Sequence, residues 1–275
     1  MSFKIGLQLY TVREALAKDP AAALREVAAA GYEYVELCSR MGLSAPALRE
    51  LLQEADLKPL AAHISLLDLD ALEEELDYYS EVGCKTIVGG LDFFPYGVPG
   101  KLLRRCDDYN RAGALCRERG MTFCYHNHFQ EFQRLCGIPM AEWMLENTDP
   151  ELVTFELDAY WAARAGADPA AFMKKYLNRM QFLHLKDYPA EAPQPLNIFD
   201  GILSAYQQLS VEMLEKAQDR RCFTEIGSGV LPVQELLALA ARSERLEAVI
   251  VDQDYSSLDS FDSIRRSLAV LKEKE

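Results

Sequence analysis

The chain contains 275 residues, of which 49% are hydrophobic and 26% are charged, and its formal net charge at pH 7 is -14. This size is sufficient to bury the core of one large domain or of two small ones. Its 43 acidic residues outnumber its 29 basic residues, which disfavours nucleic acid or an anionic membrane as a partner and favours a small molecule.

Eight short β-prone runs alternate with longer amphipathic stretches, a pattern typical of βαβ units around a parallel sheet. In chain order the predicted strands are Phe3–Leu9, Tyr34–Cys38, Lys58–Ile64, Lys85–Gly90, Met121–His128, Leu152–Asp158, Met180–Lys186 and Leu246–Asp254. Eight such strands predict an α/β fold, a closed (β/α)8 TIM barrel that forms one domain over residues 1–275.

The amphipathic stretches begin with residues suited to helix N-caps and end near glycines suited to C-caps. The predicted N-terminal caps are Asp19, Ser44, Asp70 and Asp168, and the glycines are Gly31, Gly83 and Gly120. A ninth strand candidate, Cys222–Ile226, lies within the long segment 188–245 between the seventh and eighth strands. We interpret this segment, which begins with a proline-rich stretch, as an elaborated loop that shapes the substrate site.

The four histidines of the chain, His63, His126, His128 and His184, all lie at or near the C-terminal ends of predicted strands. Two further strands end at Asp158 and Asp252. In a barrel these strand ends meet at one rim, and a rim that carries imidazoles and carboxylates suits a divalent metal ion.

Because side chains alternate along a strand, Glu156 shares a face with Asp158, Lys186 with His184, and Asp254 with Asp252. Structural alternatives exist for these residues. His63 fits a hydrogen-bonded structural histidine, Asp158 fits a helix or turn cap, and Lys186 and Glu156 fit a simple ion pair. Asp187 faces the other way and is interpreted as structural.

Three aromatic residues near the strand ends, Tyr10, Trp161 and Phe129, are candidates for stacking on a sugar ring, although packing of the rim is an equal alternative. Tyr10 and Trp161, together with His63 and His128, form the predicted substrate-binding set. The chain contains no GxGxxG, Walker or GxSxG motif, which disfavours nucleotide-dependent chemistry and serine hydrolysis.

Seven cysteines, an odd number without a CxxC pair, indicate reduced thiols rather than a disulfide framework or a zinc knuckle. The N-terminal segment is too short and too polar for a signal peptide, and no run approaches the ~20 apolar residues of a membrane span. We therefore expect a cytoplasmic protein without a membrane segment.

Segments spread over nearly the whole chain resemble the xylose isomerase-like TIM barrel superfamily, and within it the bacterial sugar phosphate isomerases/epimerases. The matching segments are GLQLYTVR at 6–13, YHNH at 125–128, ELDAYW at 156–161, GADP at 166–169, HLKD at 184–187, EIGSG at 225–229 and VDQD at 251–254. These motifs are specific for the superfamily but do not indicate the substrate.

The resemblance implies one metal ion bound by Glu, Asp, His and Glu from the fifth to eighth strands. Matched by position, the ligands are His126, Asp158, His184 and Asp252, so that a histidine and a shorter acid replace the two glutamates. The ion would be Mn2+, Zn2+, Co2+ or Mg2+, with Mg2+ the least suited to nitrogen ligands. Dimers and tetramers are frequent among the proteins that the chain resembles, which makes a homo-oligomer one expectation, although the oligomeric state is not readable from the sequence.

The activity implied by the resemblance is metal-dependent isomerisation or epimerisation of a keto-sugar or related polyol ketone through an enediolate. The acid/base candidates are Glu156, Lys186, Asp252 and Glu225. The same intermediate permits an inosose-type dehydration, and a non-catalytic sugar-binding barrel is a further alternative. An apurinic endonuclease is disfavoured, because such enzymes use more histidines and a basic DNA-binding face.

Overall fold

The structure, a computed structural model, describes residues 3–64 and 67–273. Its strands are β1 (Lys4–Gln8), β2 (Tyr34–Leu37), β3 (Lys58–Ile64), β4 (Thr86–Gly90), β5 (Thr122–His126), β6 (Arg134–Leu135), β7 (Ile138–Pro139), β8 (Val153–Asp158), β9 (Met180–Leu185) and β10 (Ala248–Val251). All strands except β6 and β7 pair in parallel and close into a barrel in the order β1-β10-β9-β8-β5-β4-β3-β2. The predicted (β/α)8 TIM barrel is therefore confirmed.

Helices alternate with the barrel strands and cover their outer face. They are α1 (Arg13–Lys18), α2 (Pro20–Ala29), α3 (Ala45–Glu54), α4 (Leu72–Val82), α5 (Pro99–Glu118), α6 (Met140–Asn147), α7 (Ala159–Arg164), α8 (Pro169–Lys175), α9 (Val211–Ala217), α10 (Val233–Ala240) and α11 (Ser260–Lys272). None of the helices in the described ranges combines the length and the apolarity that crossing a membrane requires.

The predicted helix caps are mostly correct. The side chains of Asp19 and Asp168 accept hydrogen bonds from the first turns of α2 and α8, whereas Ser44 occupies the cap position of α3 without such a bond. The prediction for Asp70 is wrong: α4 has Ala71 at its cap, and the backbone N–H of Asp70 instead donates to the side chain of Asp68. The chain therefore turns once more before α4 begins.

The predicted C-terminal glycines adopt the left-handed backbone that ends a helix. Gly83 has a φ of 107°, and Gly31 and Gly120 have φ values of 101° and 66°. Glycine adopts this region without the penalty that a Cβ brings, so each helix stops and the chain turns into the next strand.

The barrel interior is layered because side chains alternate along each strand. Its lower layer is an apolar cluster of Leu60, Ala61, Val88, Cys124, Phe182, Ala248 and Ile250. Two residues further along β5 and β9, His126 and His184 replace Cys124 and Phe182 on the same face, and Asp252 follows Ile250 in the same way. The interior thus changes from apolar to charged at the C-terminal rim.

The long segment between β9 and β10 is an elaborated loop, as predicted, and carries α9 and α10. The ninth strand predicted at Cys222–Ile226 is wrong, because only a single bridge between Asp187 and Thr224 forms there. β9 pairs directly with β10, which leaves no position in the barrel for another strand. The small antiparallel hairpin of β6 and β7 was not predicted from the sequence.

Candidate active site

A cavity of about 280 Å3 opens at the C-terminal end of the barrel. It is lined by all four histidines and by Tyr10, Trp161, Asp252 and Asp254. Leu214 and Gln218, at the end of the α9 region, add a wall from the elaborated loop. The predicted substrate-binding residues therefore share one cavity, at the face where TIM-barrel enzymes carry their active sites.

Three imidazoles and two carboxylates form what we call the histidine–glutamate cluster: Glu36, His63, His126, Glu156 and His184. Oε2 of Glu36 lies 2.7 Å from Nε2 of His184 and 3.1 Å from Nε2 of His63. Oε2 of Glu156 lies 3.0 Å from Nε2 of His63 and 3.1 Å from Nδ1 of His126. Oε1 of Glu156 lies 2.8 Å from Nε2 of His184. Apart from His63, these side chains are almost completely buried.

Two of the ring nitrogens in this cluster each lie between two carboxylates. Nε2 of His63 and Nε2 of His184 each approach oxygens of two different carboxylates, although a ring nitrogen carries at most one hydrogen. Oε1 of Glu36 and Oε1 of Glu156 are buried and accept no hydrogen bond within the described residues. Four residues each offer one ligand atom, and these atoms all lie within 4.8 Å of one another: His63, His126, Glu156 and His184. This donor set of nitrogen and carboxylate oxygen fits a divalent cation.

In the histidine–glutamate cluster, buried carboxylates and imidazoles shift each other's pKa values. Burial disfavours the charged form of His184, but Glu156 and Glu36 outweigh it and raise the pKa of His184 well above 6.5. Burial likewise opposes ionisation of Glu156, but the imidazoles, led by His184, lower its pKa well below 4.5. For His126 burial prevails and lowers the pKa. Burial also disfavours the charged form of His63, but Glu36 and Glu156 outweigh it and raise the pKa of His63 to about 10, so that protonated imidazoles supply positive charge beside the carboxylates.

Irregular strand pairing accompanies both glutamates of the cluster. The register between β2 and β3 shifts between Val35 and Glu36, and the register between β8 and β9 shifts between Phe155 and Glu156. Such shifts re-aim side chains and are common next to active sites. Here they precede the two residues whose carboxylates meet the imidazoles.

A second group, the lysine–aspartate cluster, consists of Lys186, Asp158, Asp252 and Asp254. The Nζ of Lys186 lies 2.7 Å from Oδ2 of Asp158 and 3.2 Å from Oδ2 of Asp254, and it donates a short hydrogen bond to Asp252. Although burial opposes its charge, the three carboxylates raise the pKa of Lys186 well above 10.5. The ammonium group donates hydrogen bonds to Asp158 and Asp252, whereas Oδ2 of Asp254 is buried and accepts no hydrogen bond from any described residue.

The carboxylate of Asp158 is held on both sides. Its Oδ1 accepts a hydrogen bond of 2.8 Å from the backbone N–H of Trp161, which caps α7, and its Oδ2 accepts from Lys186. Its backbone is held by Asn127, whose side-chain amide donates to the carbonyl of Asp158 and accepts from its N–H. Asn127 therefore joins the ends of β5 and β8.

His128 presents a neutral imidazole to the cavity. Burial, followed by the positive fields of His126 and Lys186, lowers the pKa of His128 well below 6.5. Its Nδ1 is buried and has no hydrogen-bond partner in the part of the chain that the structure describes. The carboxylate of Glu131 accepts a 2.8 Å hydrogen bond from the backbone N–H of His128 and fixes its position. A neutral, positioned imidazole is suited to accept a proton.

The residues predicted as metal ligands fall into the two clusters. His126 belongs to the histidine–glutamate cluster, and Asp158 and Asp252 belong to the lysine–aspartate cluster. His184 contacts both, because its Nδ1 lies 3.4 Å from Oδ2 of Asp252. Three of the four predicted ligands, Asp158, His184 and Asp252, each offer one ligand atom within 4.8 Å of the others.

Two other candidates have different surroundings. Lys186 pairs with aspartates, so the alternative that it pairs with Glu156 is wrong. Glu225 accepts a 2.6 Å hydrogen bond from the hydroxyl of Ser256 and does not line the cavity. The interpretation of Asp187 as structural agrees with its surroundings, since its carboxylate accepts from the backbone N–H groups of Gly227, Gly229 and Leu231.

Three residues of the site were missed in the sequence analysis: Glu36, Asn127 and Glu131. Glu36 did carry a signal, because it is an acidic residue within a short apolar strand, one residue before the end of β2. Asn127 and Glu131 act through backbone groups, so their roles depend on a tertiary arrangement that no sequence spacing reveals.

The sequence model of the family described as xylose isomerase-like TIM barrel matches residues 24–274, and the chain belongs to this family. The chain is 30% identical over 195 residues to an inosose dehydratase of Geobacillus kaustophilus, an alignment that covers 60% of each protein. It is 25% identical to inosose dehydratase 2 of Bacillus cereus over 91% of this chain and 88% of that protein.

Solved structures share the fold at lower sequence identity. A sugar phosphate isomerase/epimerase from Parabacteroides distasonis superimposes with a TM-score of 0.75 at 22% identity, covering 99% of this chain and 94% of the other. The IolI protein, whose structure is described with a binding zinc atom, gives a TM-score of 0.72 at 15% identity, covering 98% and 97%. These structural similarities support the assignment of the TIM-barrel fold.

Proposed function

We propose that this protein is a metal-dependent dehydratase that acts on a cyclic polyol ketone of the inosose class. The observation that carries the proposal is that a neutral, unpartnered imidazole of His128 and a cluster suited to a divalent cation face the same small cavity. The dehydratase names of the relatives favour loss of water as the outcome. The zinc described for IolI is a further support for a bound cation.

The reaction would begin with removal of a proton from the carbon next to the substrate carbonyl. A divalent cation held by the cluster residues would polarise that carbonyl and stabilise the negative charge that develops on its oxygen. His128 would accept the proton, since its pKa lies well below 6.5 and its imidazole is therefore neutral at pH 7. Loss of the β-hydroxyl from the resulting enediolate would complete the dehydration.

The departing hydroxyl requires a proton donor, and Asp254 is the side chain best suited to this role. It lines the cavity, and burial, with the nearby Asp252 and Asp158, outweighs Lys186 and raises its pKa to about 6. Lys186 would act as a positioning residue, because its ammonium holds Asp252 and Asp254 at the cavity wall. Trp161 and Tyr10 would pack against the ring of the substrate.

Isomerisation or epimerisation of a keto-sugar is the second candidate function. It is favoured by the two carboxyl groups of different acidity on the cavity wall: the pKa of Asp254 is raised to about 6, whereas the pKa of Asp252 is lowered well below 3.8. Burial disfavours ionisation of Asp252, but Lys186 outweighs it. Such a pair could return a proton to carbon instead of to a leaving hydroxyl.

The experiment that separates these functions follows mass and deuterium content together. An inosose and a panel of keto-sugars are incubated in D2O with protein that has been stripped of metal and then supplied with Mn2+ or Co2+. A dehydratase produces a compound lighter by one water from the inosose. An isomerase or epimerase incorporates deuterium without that loss, and the absence of both reactions from every compound would refute catalysis on this substrate class.

The base is tested by His128→Gln, which removes the proton-accepting imidazole but keeps an amide in the cavity. We expect loss of deuterium exchange by at least about a hundredfold with unchanged metal content. Tyr10→Phe is the matched control, because it alters another residue of the same cavity without removing a base. Equal exchange by His128→Gln and by the unaltered protein would show that another group takes the proton.

A further inference from the structure

A second cavity, of about 460 Å3, lies between α1 and the first turn of α11 and shares Asp254 with the active-site cavity. We call it the outer cavity and define it by five of its lining residues: Arg13, Lys18, Arg220, Gln253 and Ser263. We propose that the outer cavity binds a phosphoryl group, either as free phosphate or as the ester of a small hydroxylated molecule. Neither the inosose nor the divalent cation of the proposed function takes part in this binding.

The basic side chains of the outer cavity come from two distant parts of the chain. Arg13 and Lys18 lie on α1, and Arg220 lies in the elaborated loop between β9 and β10. Within the described ranges, no carboxylate forms an ion pair with any of the three. The guanidinium of Arg220 instead lies over the ring of Tyr255, 4.9 Å from its centre. The three positive charges are therefore available to an anionic ligand.

Three acidic residues also line the outer cavity, but two of them already have partners. Asp254 lies 3.2 Å from the ammonium of Lys186, and Asp259 caps α11 by accepting from the backbone N–H of Phe261. The third, Glu14, is exposed on α1. Apart from Asp254, which faces Lys186, the cavity thus carries more positive than negative charge, in a chain whose formal net charge is -14. Such a local excess favours an anion.

The first turn of α11 adds hydrogen-bond donors to the wall. α11 is 13 residues long, and Ser260, Phe261 and Ser263 line the cavity. The first N–H groups of a helix lack intrahelical acceptors and carry partial positive charge, which suits phosphate. Ser263 is only 1% exposed, and its hydroxyl has no hydrogen-bond partner in the part of the chain that the structure describes. A phosphoryl oxygen would accept the hydrogen of this hydroxyl.

Gln253 offers an acceptor in the same cavity. Its Nε2 donates a 2.7 Å hydrogen bond to the backbone carbonyl of Tyr255, which fixes the orientation of the amide. Its Oε1 is buried and accepts no hydrogen bond from any described residue. The acidic hydrogen of phosphate, or a hydroxyl of a phosphate ester, would satisfy this oxygen, whereas sulfate at neutral pH has no hydrogen to donate. The volume of the cavity is within the range of about 300–1,000 Å3 that small organic ligands occupy.

Arg13 connects the outer cavity to the active-site cavity. Its Nη1 donates a 2.9 Å hydrogen bond to the backbone carbonyl of Tyr10, and its Nη2 donates a 2.8 Å hydrogen bond to the backbone carbonyl of Asp254. Both acceptors belong to residues that line the active-site cavity. A change at Arg13 would therefore disturb both cavities, and the variants that test phosphate binding are chosen elsewhere.

Isothermal titration of the full-length protein with inorganic phosphate tests the site, with glycerol 3-phosphate and sulfate as further probes. Each titration is made on the protein as purified and after removal of metal with EDTA, because a cation in the active-site cavity also attracts phosphate. The first matched pair is Arg220→Gln and Arg221→Gln. Each removes one positive charge from the same turn, but Arg221 pairs with Asp219 at 2.7 Å and is not among the described residues of the cavity wall.

The second matched pair is Ser263→Ala and Ser267→Ala, both on α11. The hydroxyl of Ser267 accepts a 3.4 Å hydrogen bond from the backbone N–H of Ile226, whereas that of Ser263 has no such partner among the described residues. Ser263→Ala should therefore weaken phosphate binding without lowering the stability of the fold. Ser267→Ala should leave phosphate binding unchanged. Circular dichroism establishes that all four variants are folded.

We expect one phosphate site per chain that survives removal of metal, with affinity at least about tenfold lower in Arg220→Gln, about threefold lower in Ser263→Ala, and unchanged in the two controls. Tighter binding of glycerol 3-phosphate than of phosphate would identify an ester as the ligand, and the reverse order would identify free phosphate. Absence of binding by both probes, loss of binding on removal of metal, equal affinity for sulfate, or equal weakening in Arg221→Gln would each overturn the site.

Discussion

A buried carboxyl group, Glu131, supports the segment that carries the proposed base. Its Oε2 accepts from the backbone N–H of His128, and its Oε1 accepts a 2.7 Å hydrogen bond from the hydroxyl of Tyr125. These hydrogen bonds favour the ionised form, but burial outweighs them and raises the pKa of Glu131 from 4.5 to about 7. The group is therefore half protonated near neutral pH in the folded protein.

This shift predicts that the folded protein loses stability as the pH rises toward neutrality. Between pH 4.5 and 7 the folded state binds a proton at Glu131 that the unfolded state has released, so the free energy of unfolding decreases as the pH increases and levels off above 7. The contribution of Glu131 amounts to about 3 kcal/mol. Urea unfolding at pH 5, 6, 7 and 8 measures it.

Glu131→Gln isolates the contribution of this one group, because a glutamine does not titrate. The unaltered protein should exceed the variant in stability by about 3 kcal/mol more at pH 5 than at pH 8. A difference between the two proteins that stays constant over this range would mean that Glu131 ionises normally in the folded state.

Asp158 shows where inference from the sequence stops at the level of one residue. A strand-end aspartate fits a metal ligand and a helix cap equally well, because both roles need the same carboxylate oxygens. In the structure, the carboxylate of Asp158 caps α7 by accepting from the backbone N–H of Trp161, and it also pairs with the ammonium of Lys186. Lys186 comes from another strand, so the choice is made by tertiary packing that the sequence does not display.

At the scale of elements, α5 packs against the start of β8 through a glycine. A Cβ added at Gly113 would overlap the carbonyl group of Leu152, the residue before β8. The backbone of Leu152 cannot move out of the way as the end of a flexible side chain can. Position 113 therefore requires glycine, which allows the helix and the strand to approach closely. By contrast, a Cβ at Gly100 of the same helix would meet Arg104 at 3.7 Å, an ordinary contact.

We predict that Gly113→Ala destabilises the protein by about 1–3 kcal/mol through overpacking. The matched change Gly100→Ala should be neutral or stabilising by up to about 1 kcal/mol, because alanine is the better helix former. Thermal unfolding followed by circular dichroism compares the two variants. Equal midpoints would show that α5 can shift away from β8 at little cost.

The strands were predictable because each is a short apolar run bounded by helical patterns. All eight predicted barrel strands form, and their ends differ from the prediction by at most a few residues. The division of the site into two clusters was not predictable, because it depends on the register shifts beside Glu36 and Glu156. A shift of register re-aims side chains without leaving a mark in local hydrophobic periodicity.

At the scale of the whole molecule, the proposed ligands come from strands that are far apart in the chain. His63 is on β3, His126 on β5, Glu156 on β8 and His184 on β9. In the ring β8 stands between β5 and β9, whereas β3 is reached across β4. An ion held by these residues would connect four of the eight barrel strands. Unfolding of the barrel would separate the ligands and release the ion.

Cation binding should therefore stabilise the entire fold rather than one loop. At a free Co2+ concentration of a hundred times the dissociation constant, binding contributes about 2.7 kcal/mol, since the unfolded chain cannot assemble the ligands. For a protein of this length, that raises the midpoint of thermal unfolding by roughly 5–10 °C, as calorimetry with and without Co2+ would show. Glu156→Gln should show a much smaller rise, because it lacks the carboxylate that all three imidazoles face. An equal rise in this variant would place the stabilising ion elsewhere, away from the histidine–glutamate cluster.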